Sequence, residues 1–267
     1  MGRNLVVDYR YAEGRLERHA PLAAELVALK PDLIFAGTQP SAEAVMEATK
    51  TIPIVFALVH DPVAAGLAES LARPGKNATG LSSMNVEILT KRIDLLLQIV
   101  PSAKRVAILY QPELDTSARQ AALGGQTLQS RKLTALRVAI GGPETFDESF
   151  ETLARVQPDV VLVVENPSLF THRADVVRRM TALRLPAMYG FQPFTLSGGL
   201  MSYSIDFGDQ FRRAAGYVDR ILRGAKPAEL PIEQPLRLEL AVNLKAASAI
   251  GVTFPQAVLL SANRVIE

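Results

Sequence analysis

The sequence predicts an α/β fold built as two domains with parallel sheets, and three observations carry that prediction. Apolar runs without polar alternation, Leu33 to Ala36, Ile54 to Val59 and Arg105 to Tyr110, suit strands buried on both faces, as helical crossovers require of a parallel sheet. Each run stops on small, polar or turn-forming residues and passes into a segment with apolar residues at helical spacing. Finally, the strand and helix alternation runs twice, with one long amphipathic segment near residue 90 between the two series, which argues for two domains rather than one sheet.

In order along the chain, Asn4 to Tyr11 alternates and is rich in Val and Tyr, so it predicts a strand ending at Glu13-Gly14. Leu16 to Lys30 carries Leu22, Leu26 and Leu29 at helical spacing, with Pro21 tolerable in the first turn. Leu33 to Ala36 follows as a strand that stops at Gly37-Thr38, and Pro40-Ser41 opens an Ala-rich helix. Ile54 to Val59 stops at His60-Asp61-Pro62, and Ala78 to Leu81 reads as the next strand. Val86 to Val100 is an amphipathic helix closed by Pro101. The second series has strands at Arg105 to Tyr110, Leu133 to Ile140, Asp159 to Val164 and Pro186 to Tyr189. Its helices are Asp115 to Ser130, Phe146 to Val156 and Ser168 to Leu183. A further helix, Asp209 to Arg223, ends at Gly224 as a helix stop does. Leu236 to Val242 is the last predicted strand, Leu244 to Ile250 a short helix, and the tail from Phe254 is short and capped by turns.

The 267 residues, 48% of them hydrophobic, bury an ample core, which excludes disorder and fibres. A net charge of +2 with scattered or paired basic residues argues against nucleic-acid binding. The absence of cysteine excludes disulfides and thiolate metal sites. No apolar run reaches the roughly 18 residues of a membrane span. The opening MGRNLVVDYRYAEGR has no apolar stretch behind a basic end, so as written the chain carries no signal peptide and would stay in the cytoplasm.

Catalytic motifs are not found. There is no G-x-S-x-G elbow, phosphate-binding glycine loop or dinucleotide fingerprint, and His19, His60 and His172 lack ligand spacing, so no enzyme, cofactor or metal site is expected. Binding is better supported. Ligands of open parallel sheets sit beyond the carboxyl ends of the strands, which puts Gly37, Thr38, Ser41, His60 and Asp61 on one rim, joined by Thr79, Gly80, Ser82 and Ser83. Thr38 and Ser41 precede a helix whose first N–H groups would accept an anion, or they are N-caps; Asp61 is a cap or a carboxylate aimed into a cleft. Asn166-Pro167 has the same ambiguity in the second series, and Tyr110, Tyr189 and Tyr203 near strand ends are core residues or ligand walls.

The chain resembles a family of ABC-transporter substrate-binding proteins related to tryptophan and other aromatic amino-acid binders, with the type I periplasmic-binding architecture. The resemblance is carried by DYRYAEGR (8–15), AAELVALKPDLIFAG (23–37), TIPIVFA (51–57), DPVAAGLAESLARPGKNATGLSS (61–83) and PSLFTHR (167–173). LPAMYGF (185–191), GGLMSY (198–203), YVDRILRGAKPAELPIEQP (217–235) and NLKAASAIG (243–251) extend it over essentially the whole chain. It implies two Rossmann-like domains, 1–83 with 204–230 and 84–203 with 231–267, joined by three crossing strands. It also implies a small organic solute of the amino-acid or aromatic or organic-acid class in the cleft between the domains, and delivery to a membrane permease on the periplasmic or outer face without catalysis. Gly37, Thr38, Asp61, Thr79 and Ser82 would supply one wall, and Asn166, Tyr189 and Tyr203 the other. Against relatives, the signal, first strand and first helix are absent, so the start reads as truncated. A missing central strand leaves its neighbours with unpaired backbone groups, and the chain is then expected to self-associate and to bind ligand poorly. The alternative reading is a cytosolic small-molecule sensor of the same fold.

Overall fold

The computed structural model describes residues 5–84 and 88–267. In chain order the first elements are α1 (His19–Ala28), β1 (Ile34–Ala36), α2 (Gln39–Ala48), β2 (Ile54–Val59) and β3 (Ala78–Ser82). Next come α3 (Leu89–Ile99), β4 (Arg105–Tyr110), α4 (Asp115–Ser130), β5 (Thr134–Ala139), α5 (Phe146–Val156) and β6 (Val160–Val163). The chain continues through α6 (Pro167–Thr171), α7 (Arg173–Ala182), β7 (Ala187–Tyr189), α8 (Gln192–Leu196) and β8 (Met201–Ile205). It finishes with α9 (Phe207–Leu222), β9 (Leu238–Asn243), α10 (Leu244–Ile250), α11 (Gln256–Ser261) and β10 (Arg264–Ile266). The chain divides into one unit of Met1–Met84 with Phe207–Leu236 and a second of Asn85–Asp206 with Arg237–Glu267.

The first unit holds a three-stranded parallel sheet in the order β1-β2-β3. One face packs Ile34, Ile54, Phe56 and Ala78 against Ala42, Val45 and Met46 of α2 and Ala23 of α1. The other packs Val55, Ala57 and Leu81 against Ala214, Tyr217 and Ile221 of α9. Burial on both faces is what the unalternating runs call for. Gly80 is forced by this packing: its φ is +149°, and a Cβ there would lie 2.0 Å from the Phe56 carbonyl oxygen. Gln210 of α9, 1% exposed, donates from Nε2 to the carbonyls of Ala57 at 2.9 Å and Ser82 at 2.8 Å. That side chain ties α9 to the middle of β2 and to the last residue of β3, where the rim begins.

The second unit is a seven-stranded sheet in the order β10-β9-β8-β7-β6-β4-β5, parallel except for the β8–β9 pair. Ile108, Leu162 and Met188 face Leu89, Ile93 and Leu96 of α3 and Ala121 and Leu128 of α4. Leu109, Val161 and Val163 face Phe146, Phe150 and Leu153 of α5 and Val176 and Met180 of α7. The chain passes between the units after Met84, Asp206 and Leu236.

Three expectations need correction. Asn4 lies outside the described residues, and residues 5–12 form no strand. Val6 and Tyr11 are 90% and 68% exposed, because an alternating segment becomes a strand only within a ladder and no strand of the first unit pairs with it. Ser168–Leu183 is two helices, α6 and α7, that meet at His172. Leu236–Val242 is not the last strand: the tail forms α11 and then β10, which pairs in parallel with β9. Val86 and Glu87 of the predicted Val86–Val100 helix lie outside the described residues, and α3 occupies Leu89–Ile99 within it.

Candidate functional site

The rim of the first unit is built where β1, β2 and β3 end. Thr38 and Ser41 form a capping box at the start of α2: Ser41 Oγ accepts from the Thr38 N–H at 3.0 Å and lies 3.0 Å from Thr38 Oγ1. Pro40, the second residue of α2, has no N–H to offer. The helix start is therefore largely satisfied by its own residues, the N-cap arrangement of the two alternatives. Gly37, half-buried, has open space where a Cβ would stand. Asp61 is exposed, and its Oδ1 accepts from the N–H groups of Val63 at 3.2 Å and Ala64 at 3.0 Å, so one oxygen holds the following turn. Thr79 does not reach the rim: it is the second residue of β3, fully buried, and donates from Oγ1 to the Leu230 carbonyl at 2.7 Å. Ser82, 3% exposed at the end of β3, has a hydroxyl without a partner among the described residues. Next to it, Ser83 Oγ is 2.8 Å from His60 Nδ1, and the His60 N–H donates to Gln39 Oε1 at 3.1 Å.

The rim of the second unit is more polar than the sequence reading expects. Just beyond β6 come Glu165 and Asn166, both buried. Asn166 Oδ1 accepts from the Leu169 N–H at 2.7 Å and caps α6, which leaves its Nδ2 without a partner among the described residues. Glu165 pairs with Arg92 of α3, and both side chains are nearly inaccessible, at 2% and 1% exposed. Arg92 donates from Nε to the Tyr203 carbonyl at 2.7 Å and from Nη2 to the Gly190 carbonyl at 2.9 Å. Burial pulls the Arg92 guanidinium below its ordinary pKa, and the facing carboxylate pulls it back up. Gly190 is required by this pair, since a Cβ there would meet the Glu165 carboxyl carbon at 2.1 Å.

The aromatics separate. Tyr110, half-buried at the end of β4, packs at the edge of the α3-side core, as does Tyr203 in β8. Tyr189, 1% exposed, stacks on Phe194 at 4.9 Å in the opposite core, and burial raises its phenol pKa. It is a core residue rather than a ligand wall in this conformation.

Sequence reasoning missed Arg92 and Glu165, although both leave a trace in it. Arg92 lies on the apolar stripe of its own helix, between Leu89 and Leu96, and Glu165 directly ends the run from Val160 to Val164. A charge on a buried stripe needs a partner, and the apolar run places that partner at a strand end. Among the described residues no group of three or more acidic, His or Cys side chains is placed to hold a metal ion, and no helix is long and apolar enough to cross a membrane.

The chain is similar to several known proteins. A tyrosine-binding protein of Clostridioides difficile strain R20291 is 27% identical over 252 residues, covering 93% of this chain and 71% of the relative. The crystal structure of a conserved domain protein from Vibrio cholerae matches with a TM-score of 0.91 at 27% identity, covering 99% of this chain and 88% of that one. A Streptococcus pneumoniae ABC domain in complex with L-Trp matches with a TM-score of 0.88 at 26% identity, covering 98% of this chain and 90% of that one. These neighbours share the type I periplasmic-binding fold. The family model described as ABC transporter substrate binding protein matches residues 1–266, and this chain therefore belongs to the ABC transporter substrate-binding protein family.

Proposed function

We propose that this chain is the solute-binding component of an ABC import system, acting on the periplasmic or outer face of the membrane. Its solute is a small organic molecule of the amino-acid or aromatic or organic-acid class, delivered to a permease, and the carboxyl-end rim of each unit supplies candidate residues for it. Gly37, His60, Asp61, Ser82, Tyr110, Asn166 and Tyr203 are the residues proposed to line it. One observation carries the reading furthest. Buried polar atoms without partners among the described residues sit at or just beyond strand carboxyl ends in each unit, Ser82 Oγ in the first and Asn166 Nδ2 in the second, where open parallel sheets bind ligands. The names of two relatives, a tyrosine binder and a complex with L-Trp, support the solute class.

Binding and release need no bond to break, so the residues act by hydrogen bonding and enclosure. The test is a thermal-shift screen over amino acids, aromatic carboxylates and small organic anions. A solute at 100 times its Kd stabilises the folded state by about 2.7 kcal/mol. The reading predicts a shift for a solute of this class that shrinks in Ser82→Ala and in Asn166→Ala; a screen in which no compound shifts the folded protein refutes it.

A further inference from the structure

The end of β6 in the second unit carries a set of buried polar atoms that the fold itself does not use. β4 and β6 are neighbours with Leu109 opposite Val163, and Gln111 and Glu165 each lie two residues past that pair. Gln111 Oε1, Glu165 Oε2, Asn166 Nδ2 and Ser168 Oγ all lack hydrogen-bond partners among the described residues, and their residues are between 1% and 6% exposed. The set contains an amide donor, two acceptors and a hydroxyl that does both. A buried polar group left unpaired is costly, so four such atoms just past β4 and β6 demand an external partner.

The charge state of the set decides what that partner is. Glu165 is the one ionisable group in it, and its other oxygen already faces the buried guanidinium of Arg92. The pair sums to no net charge. An ammonium placed there would share one carboxylate with a second cation that is 1% exposed, and a carboxylate would face Glu165 across a medium that screens poorly. An uncharged group that both donates and accepts meets neither penalty and matches the mixed donor and acceptor set. Resting on the proposed function, we infer that Gln111, Glu165, Asn166 and Ser168 recognise an uncharged donor–acceptor group of the solute, of the phenol hydroxyl or carboxamide type, and not its ammonium or carboxylate end. These atoms are shielded in this conformation, so the solute group reaches them through local rearrangement of the rim side chains, a population shift that ligand binding drives.

Two matched pairs test this by titration calorimetry on the whole chain: L-tyrosine against L-phenylalanine, and 4-hydroxybenzoate against benzoate. Sites built to hydrogen-bond a hydroxyl reject the analogue lacking it strongly. The hydroxylated member of the pair that binds is expected to bind at least about tenfold tighter. Ser168→Ala removes a hydroxyl without a partner among the described residues and keeps the backbone. It is expected to lower the hydroxyl preference several-fold and not to lower Tm. Equal affinity within the pairs, or a Ser168→Ala protein that keeps the full hydroxyl preference, overturns the inference and leaves the proposed function standing. If no member of either pair binds while another solute of the screen does, the inference falls for phenols, and the same comparison between a carboxamide and its carboxylate, with the carboxylate bound as tightly, overturns it altogether. If no solute of any kind binds, both readings fall.

Discussion

Replacing Arg92 by Met removes the guanidinium but keeps most of the aliphatic volume, so the loss is chiefly electrostatic. Glu165 is then left as a carboxylate 2% exposed without the Arg92 guanidinium, and the carbonyls of Gly190 and Tyr203 lose the donors that Arg92 supplies. Breaking one side of a buried ion pair costs about 3–5 kcal/mol. At 2–4 °C per kcal/mol, Tm falls by roughly 6–20 °C. Glu165→Met alone strands the opposite charge and is expected to cost a similar amount. The double variant Arg92→Met/Glu165→Met removes both charges together, and replacing a buried pair by apolar groups is often neutral. It should recover at least half of the summed loss, a coupling that a double-mutant cycle in urea measures directly. A single-variant loss under about 1 kcal/mol, or a double variant as unstable as the two singles added, would refute the assignment of Arg92 and Glu165 as one buried unit.

Three further outcomes follow from the same contacts. Gln210→Leu takes the donor from the Ala57 and Ser82 carbonyls and is expected to cost about 1–3 kcal/mol, read by urea unfolding. Gly80→Ala drives a methyl to 2.0 Å from the Phe56 oxygen at a φ of +149° and should cost about 3 kcal/mol or more, seen as loss of soluble yield and Tm. Hydrogen bonds from the Lys104 and Arg105 N–H groups hold Asp159 below its ordinary pKa of 3.8, and Arg213 holds Glu233 below 4.5. With folded-state pKa values depressed, the stability they supply is present above the ordinary values and lost as pH falls through the folded ones; Asp159→Asn and Glu233→Gln should therefore flatten the acid side of the Tm profile below about pH 4.5 and leave its slope near pH 7 unchanged.

The strands and crossovers of both units were legible because burial on two faces forces apolar runs, and Ile54–Val59, Arg105–Tyr110 and Asp115–Ser130 fall where the periodicity puts them. What the sequence could not show is pairing. Residues 5–11 alternate as a strand does and have no ladder, while Arg264–Ile266 is too short to signal itself and becomes β10 only because β9 offers an edge. The rim residues were legible as positions but not as orientations. Thr79 lies one pleat too deep, Tyr189 turns into the core against Phe194, and Thr38 and Ser41 turn onto each other. The buried pair was hidden because Arg92 and Glu165 are 73 residues apart and meet only through the packing of α3 on the sheet.

Solute binding is measured most directly by titration calorimetry of the intact chain against the aromatic amino acids and their organic-acid counterparts. The account predicts saturable one-to-one binding of a member of that class, weakened about tenfold or more when Asn166 or Ser82 is replaced by Ala and Tm shows the fold intact. A folded protein that takes up none of these compounds, or that binds one with the same affinity after both replacements, would contradict it.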